Sequence, residues 1–253
     1  MTKVLIHGCN GRMGNMVSQL AADYEQIEIV AGVDRPDSEP GGKSYPIYAS
    51  LADVKEEADV VIDISTASAV DGLIEYAAEK NMAAVICTTG LSEEQIGKIS
   101  DLSKKVPVLR SGNMSLGINT MIKVLKAISK TLNEAGFDVD IVEKHHKHKL
   151  DAPSGTAVML ADAVAEAVDG EMEIVYDRTG RRMERPHNEI GISAVRGGTI
   201  VGEHEVIFAG TDEIIEIKHT ALSRAVFANG ALKAALFLHD QKPALYTMSD
   251  VVG

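Results

Sequence analysis

Cysteine is scarce in this chain and tryptophan is absent. Two cysteines in 253 residues, Cys9 and Cys87, make no disulfide framework and suggest a reducing compartment. Six Tyr and four Phe are too few for a base-stacking platform. Positive charge is outnumbered. The 25 Lys and Arg stand against 37 Asp and Glu, a net −12 at pH 7 that repels phosphate polymers and argues against a nucleic-acid partner. The longest unbroken apolar run, Met82–Cys87, falls far short of the roughly 20 residues a bilayer span needs. Between Lys3 and His7 stand only Val4, Leu5 and Ile6, no signal-peptide core. Internal repeats and low-complexity tracts are missing too. These absences leave an acidic globular protein of the cytoplasm, with one large domain or two modest ones. Any anionic ligand must be held by a local exception to the negative field.

What is present is, first, an alternation of strand and helix. Lys3–His7 is a short apolar run ending at glycine. After it Met13, Met16, Val17, Leu20, Ala21 and Tyr24 recur at helical spacing. Strands are predicted at Ile27–Asp34, Val60–Ile64, Ala83–Thr88 and Val106–Leu109, with helices over 50–57, 68–80 and 92–104 between them. Ser68 and Ser92 stand where N-caps would. Apolar strands joined by helices imply a doubly wound α/β domain with a parallel sheet. After about residue 115 the rhythm changes to a long helix (117–134), a strand at Asp138–Lys144 and a helix after Asp151–Thr156. Strand-like runs follow near 171–177, 189–196, 199–208 and 213–219, and a last helix spans 223–239. Gly197-Gly198 between alternating runs signals a hairpin. The second domain, 115–224, is therefore predicted as α+β with a mixed, mostly antiparallel sheet. Residues 225–253 are expected to return to the first domain, 1–114.

The loop from the first strand to the first helix reads Gly8-Cys9-Asn10-Gly11-Arg12-Met13-Gly14. Glycines allow a tight turn and close backbone approach, and the helix start offers amides to a pyrophosphate. Asp34 ends the second strand, where an acid would take the adenosine ribose hydroxyls. Arg35 beside it could pair with a 2′-phosphate, so the pair hints at both NADH and NADPH. A strand before, an amphipathic helix after and an acid in place are the context this fingerprint needs. Two further loops at strand ends, Cys87-Thr88-Thr89-Gly90 and Ser111-Gly112-Asn113-Met114, carry small and hydroxylic residues that suit a nicotinamide ribose and carboxamide. Capping and turn chemistry would use the same residues. Cys87 reads as a small apolar filler rather than a nucleophile.

Lys144-His145-His146-Lys147-His148-Lys149 is the least expected segment. With 25 Lys and Arg and 8 His in the whole chain, a random window of this length would hold about 0.8 such residues. Here every position is one. The turn Leu150-Asp151-Ala152-Pro153-Ser154-Gly155-Thr156 follows, and then a helix. Ser154 or Thr156 would cap it, leaving the Gly155 and Thr156 amides at a positive helix end suited to a carboxylate. Three readings compete. A metal site needs convergent imidazoles, but neighbouring residues on an extended backbone point opposite ways and the lysines repel a cation. A solvated charged loop is the plain alternative. An anion-binding catalytic loop uses histidine to exchange protons near neutrality and Lys149 to pair with a carboxylate or donate a proton.

The run Glu143-Lys-His145-His146-Lys-His-Lys149-Leu-Asp151-Ala-Pro153-Ser-Gly155-Thr156-Ala157 resembles the signature of the 4-hydroxy-tetrahydrodipicolinate (dihydrodipicolinate) reductase family. Gly8–Gly14, Thr88-Thr89-Gly90, Val201–His204 and Phe227–Ala231 extend the resemblance along the chain. It implies a Rossmann-like dinucleotide-binding domain and a cytoplasmic enzyme of lysine and diaminopimelate biosynthesis. The enzyme would be a homotetramer through its second domain, reducing a cyclic dicarboxylate with NADH or NADPH and losing water. By the same resemblance His145 is the proton donor or acceptor and Lys149 a second proton donor. His146, Gly155 and Thr156 would bind substrate. Gly8, Cys9, Asn10, Gly11, Arg12, Met13, Asp34, Arg35, Cys87, Thr88, Thr89, Ser111, Gly112, Asn113 and Met114 would bind cofactor. No metal is implied. Cys87 and Met114 replace the family's frequent Gly and Phe, which bears on cofactor preference more than on the reaction. The rivals are a sugar or amino-acid-semialdehyde dehydrogenase and a nicotinamide-sensing protein without turnover.

Overall fold

The computed structural model describes residues 1–36 and 42–253. They gather into two units, Met1–Leu116 with Ala225–Gly253, and Gly117–Arg224.

The first unit is built on a seven-stranded parallel sheet. Its strands are β1 (Thr2–His7), β2 (Ile27–Val33), β3 (Ile47–Tyr48), β4 (Val60–Asp63), β5 (Ala83–Ile86), β6 (Val108–Arg110) and β12 (Leu245–Tyr246), in the spatial order β12-β6-β5-β4-β1-β2-β3. β4 and β5 are buried along their whole length, as strands covered on both faces must be. Side chains alternate between two apolar layers. On one face Val4, Ile6, Val60, Ile62 and Val85 share a core with Val17 of α1 (Arg12–Ala21) and with Ala231, Leu232 and Ala235 of α6 (Ala225–His239). On the other, Leu5, Val61, Ala84 and Ile86 meet Leu73 and Ala77 of α2 (Val70–Lys80) and Ile99 of α3 (Glu93–Leu102). Helices on both faces make the sheet doubly wound, and the strand order reverses between β1 and β4.

Ser92 caps α3 with a full capping box: its hydroxyl accepts the Gln95 amide while Gln95 Oε1 accepts the Ser92 amide. Ser68 caps nothing. It lies inside a 3₁₀ turn, Ala67–Ala69, with its hydroxyl 3.1 Å from that of Thr66, and α2 starts at Val70 without a side-chain cap. The helix expected over 50–57 is only a 3₁₀ turn, Leu51–Asp53, closed by extended Val54.

The second unit carries a five-stranded sheet of β7 (Asp138–His145), β8 (Glu173–Tyr176), β9 (Glu189–Arg196), β10 (Gly202–Ala209) and β11 (Ile214–Ala221), ordered β11-β10-β7-β9-β8. One face is covered by α4 (Leu116–Glu134) and α5 (Gly155–Ala165), whose Met121, Leu125, Leu160 and Val164 pack on Val139, Ile141, Ile192, Val206 and Phe208. The sheet is mixed, and its antiparallel pairings are together the longer ones. β7–β9 and β8–β9 are parallel, while β10–β7 and β10–β11 are antiparallel. Gly197-Gly198 makes no hairpin: β9 and β10 lie on opposite sides of β7, and the glycine turn passes across the end of that strand. There the Gly197 amide donates to the His145 carbonyl and the Lys147 amide to that of Gly198. The true hairpin joins β10 to β11, closed by the Gly210 amide on Glu213 O with Asp212 left-handed at φ 64°.

Candidate active site

In β7 the residues alternate in burial, and the buried row runs Val139, Ile141, Glu143, His145. In β10 the buried row is Gly202, His204, Val206, Phe208. At one end of the sheet the inward face therefore changes from apolar to ionisable. The register sets His204 opposite Glu143 and His145 beside Arg196.

Glu143 has no exposure, yet its carboxylate has four donors. His145 Nδ1 lies 2.6 Å from Oε2, and the Ser154 amide donates to Oε1 at 2.9 Å. Arg196 grips both oxygens, at 2.7 and 2.6 Å. Burial would push the Glu143 carboxyl up, but Arg196, His145 and the Ser154 amide outweigh it and hold the carboxyl below its ordinary value. Burial lowers the His145 imidazole, Glu143 opposes that, and Lys149 and Arg196 add to it; the net shift is downward. The lowering thus owes more to burial than to the neighbouring cations. His204 stands edge-on to His145 with ring centroids 5.1 Å apart, its Nε2 3.0 Å from Ser154 Oγ, and burial presses its pKa down to about 4.

Ser154 is the N-cap of α5, accepting the Ala157 amide on its hydroxyl. The expected vacancy at this helix end is already partly filled: the Asp151 carboxylate receives the Gly155 amide and lies 2.9 Å from Lys149 Nζ. His146 follows the last residue of β7, partly buried, with Nδ1 buried and without a hydrogen-bond partner among the described residues. His145, Lys149, Asp151 and the start of α5 are thereby brought into one assembly. Glu143, Arg196 and His204 belong to it too, though sequence reasoning did not mark them as site residues. The period-2 pattern of Asp138–His145, followed past its apolar members, would have put Glu143 on the His145 face.

In the first unit, Gly8 takes a left-handed φ of 90°, and a Cβ on Gly14 would fall 2.2 Å from the Gly8 carbonyl oxygen. Only glycine permits this turn. Gly11 caps α1 with no side-chain bond of its own. The Asn10 amide donates to Asp34 Oδ2 at 2.7 Å and the Arg35 amide to Oδ1 at 2.8 Å. A cavity of about 480 Å³ opens here, walled by Gly8, Asn10, Gly11, Asp34 and Arg35 together with Ser65 and Thr66. It stands where the strand order reverses, the place for a ligand in an open α/β sheet. A glycine-lined turn at a helix start, beside an acid and a base, fits a dinucleotide.

Not all the expected cofactor residues face this cavity. Cys9 is wholly buried, its thiol pushed up to about 11 by burial, with Sγ 2.6 Å from where a Cβ on Gly32 would stand. Met13 packs against the core, and Arg12 is exposed at the start of α1. Cys87, Thr88 and Thr89 lie beyond β5; burial raises the Cys87 thiol, as befits a filler, while Thr88 Oγ1 is buried with no partner among the described residues. Ser111, Gly112, Asn113 and Met114 lie beyond β6, where Ser111 Oγ donates to Asn113 O at 2.9 Å. The Met114 side chain enters the core, under the α6 backbone at Gly230. Ser65 and Thr66 were missed, although Val60–Ile64 is legible as a strand; the rule applied to the loops at Cys87 and Ser111 would have found them.

Comparison with known proteins agrees over the whole chain. The family model described as dihydrodipicolinate reductase, N-terminus, matches residues 2–114, and the one for the C-terminus matches 117–252. A 4-hydroxy-tetrahydrodipicolinate reductase of Caldanaerobacter subterraneus subsp. tengcongensis is 54% identical, covering 100% of this chain and 98% of that protein. One of Clostridium novyi is 49% identical with the same coverage. Among solved structures, a dipicolinate-bound dihydrodipicolinate reductase from Paenisporosarcina sp. TG-14 superposes with a TM-score of 0.83 at 26% identity, covering 99% of each chain. Such end-to-end identity removes the sugar- and semialdehyde-dehydrogenase readings, and the sensor without turnover. The chain belongs to the dihydrodipicolinate reductase family.

Proposed function

We propose that this chain reduces 4-hydroxy-tetrahydrodipicolinate to tetrahydrodipicolinate, with loss of water, in lysine and diaminopimelate biosynthesis, using His145 and Lys149 for proton transfer. The observation that carries the reading is the assembly in the second unit, where an imidazole, an ammonium and a helix N-terminus stand together. When bound, NADH or NADPH supplies the hydride, and the reaction also takes up one proton and releases the substrate hydroxyl as water. The glycine turn would hold the pyrophosphate on the α1 amides, and Asp34 and Arg35 would take the adenosine ribose. The loops Cys87–Thr89 and Ser111–Met114 would border the nicotinamide half.

The substrate is a small dicarboxylate, of the kind that the Paenisporosarcina relative binds. Gly155 and Thr156 at the α5 start receive one carboxylate. Lys149 and His146 stand toward the other. His145 has Nδ1 committed to Glu143, so its Nε2 is the nitrogen that exchanges a proton with the substrate. The enzyme acts in the cytoplasm as a homotetramer through the second unit, whose strands expose Tyr176, Val195 and Ile214. A coupled assay with the upstream synthase, followed by nicotinamide absorbance, tests the activity; no consumption above a blank would refute it. Light scattering on the eluted protein tests the tetramer.

A further inference from the structure

We propose that Glu143 is a positioning residue that ties the proton-transfer imidazole of His145 to the carboxylate-holding end of α5, with Arg196 as its counter-ion. The inference rests on the reading of His145 and α5 above and adds a residue that acts through both.

The geometry is unusual for an ordinary ion pair. One carboxylate without solvent exposure is met from three elements: His145 on its own strand, the Ser154 amide at the cap of α5, and both terminal nitrogens of Arg196 on β9. A buried carboxylate is costly unless each oxygen is satisfied. Arg196 alone already gives each oxygen a donor, without the histidine or the helix start. The two further donors are what give Glu143 a second task. Arg196 also donates to the Asp151 carbonyl at 2.6 Å, which fixes the turn into α5 against the same centre. The proton site and the proposed carboxylate site are therefore joined through one set of hydrogen bonds.

The electrostatics point the same way. Around His145 stand Lys149 from the following loop, Arg196 from β9, His204 from β10 and Glu143 from β7 itself. Glu143 is the one anion among them. It selects the Nδ1–H tautomer, leaving Nε2 bare in the neutral ring and a donor in the protonated one. Without its charge, burial and the two cations act on the imidazole unopposed.

The test uses the full-length protein labelled with ¹⁵N-histidine. Glu143→Gln keeps the shape and an oxygen for the Ser154 amide but removes the charge. His145 should then titrate at least about one pH unit lower by imidazole NMR. The acidic limb of the kcat profile should move with it, and kcat should fall by about tenfold or more. Affinity for dipicolinate, the ligand of the Paenisporosarcina relative, should stay within about threefold because the α5 anchor survives. Arg196→Gln should shift the His145 titration the other way, upward, and this variant decides the question if the first does not fold. Unchanged His145 titration in a folded Glu143→Gln protein overturns the proposal even if His145 proves catalytic. Full activity in His145→Gln would instead defeat the underlying reading, and NMR would still report whether Glu143 sets the tautomer.

Discussion

Asp34 Oδ2 accepts the backbone amide of Asn10 at 2.7 Å, so the acid at the end of β2 braces the glycine turn at the end of β1. To the ribose recognition proposed for Asp34 this bond adds loop support. Asp34→Ala should weaken NADH by about tenfold or more through the lost hydroxyl contacts. It should weaken NADPH as well, by a smaller factor, because the turn loses its brace while Arg35 keeps a role for the 2′-phosphate. Dissociation constants for both cofactors check this; equal losses would leave Asp34 with the brace alone.

Asp151 occupies the groups that a substrate carboxylate would use, Lys149 Nζ and the Gly155 amide. Asp151→Asn removes that internal competitor without changing the shape of the turn. Dipicolinate should bind about three- to tenfold more tightly to the variant, since its carboxylate no longer displaces another. Weaker binding, measured by calorimetry, would mean that Asp151 instead holds Lys149 in place.

His145→Gln should lower kcat by about a hundredfold or more with little change in KM, the pattern of a group needed only in the transition state. Lys149→Ala should raise KM and lower kcat together, the pattern expected from the two roles proposed for the ammonium, pairing with the substrate and donating a proton. Steady-state kinetics separate the two patterns, and a Lys149→Ala enzyme with normal KM would take Lys149 out of the carboxylate site.

His204 gives a stability prediction with a definite sign. Its folded pKa lies near 4 against an ordinary 6.5. Between those values the unfolded chain binds a proton that the folded one refuses. Stability from this group is complete above about pH 6.5 and is lost progressively as pH falls toward 4, on the order of 3 kcal/mol in all. His204→Gln should flatten the fall of the urea midpoint between pH 7 and pH 4.5. An unaltered slope would assign the acid sensitivity to other groups.

The first unit is legible from its residues because its signals are local. The glycine turn, the helical spacing from Met13 to Tyr24 and the capping box at Ser92 each involve neighbours in sequence, and buried parallel strands read as plain apolar runs. Ser68 misleads because serine beside threonine can satisfy itself in a turn as readily as it caps a helix. The second unit is harder. Gly197-Gly198 is compatible with a hairpin, and nothing nearby tells that β7 lies between β9 and β10; that pairing is decided by segments about 50 residues apart. The site divides in the same way. His145, Lys149 and Gly155 lie in one run and can be read together, whereas Arg196 and His204 arrive from distant strands and are visible only once the sheet is assembled.

The last segment, Ala225–Gly253, completes the first unit. Ala228, Ala231, Leu232, Ala235 and Leu238 of α6 cover Val4, Ile6, Val60 and Ile62, and β12 pairs along β6. During synthesis, the ribosome delivers these pieces only after the whole second unit has emerged. Until then the sheet lacks the α6 part of one apolar cover and leaves the β6 edge unpaired, so the unit that is begun first in translation is the one completed last.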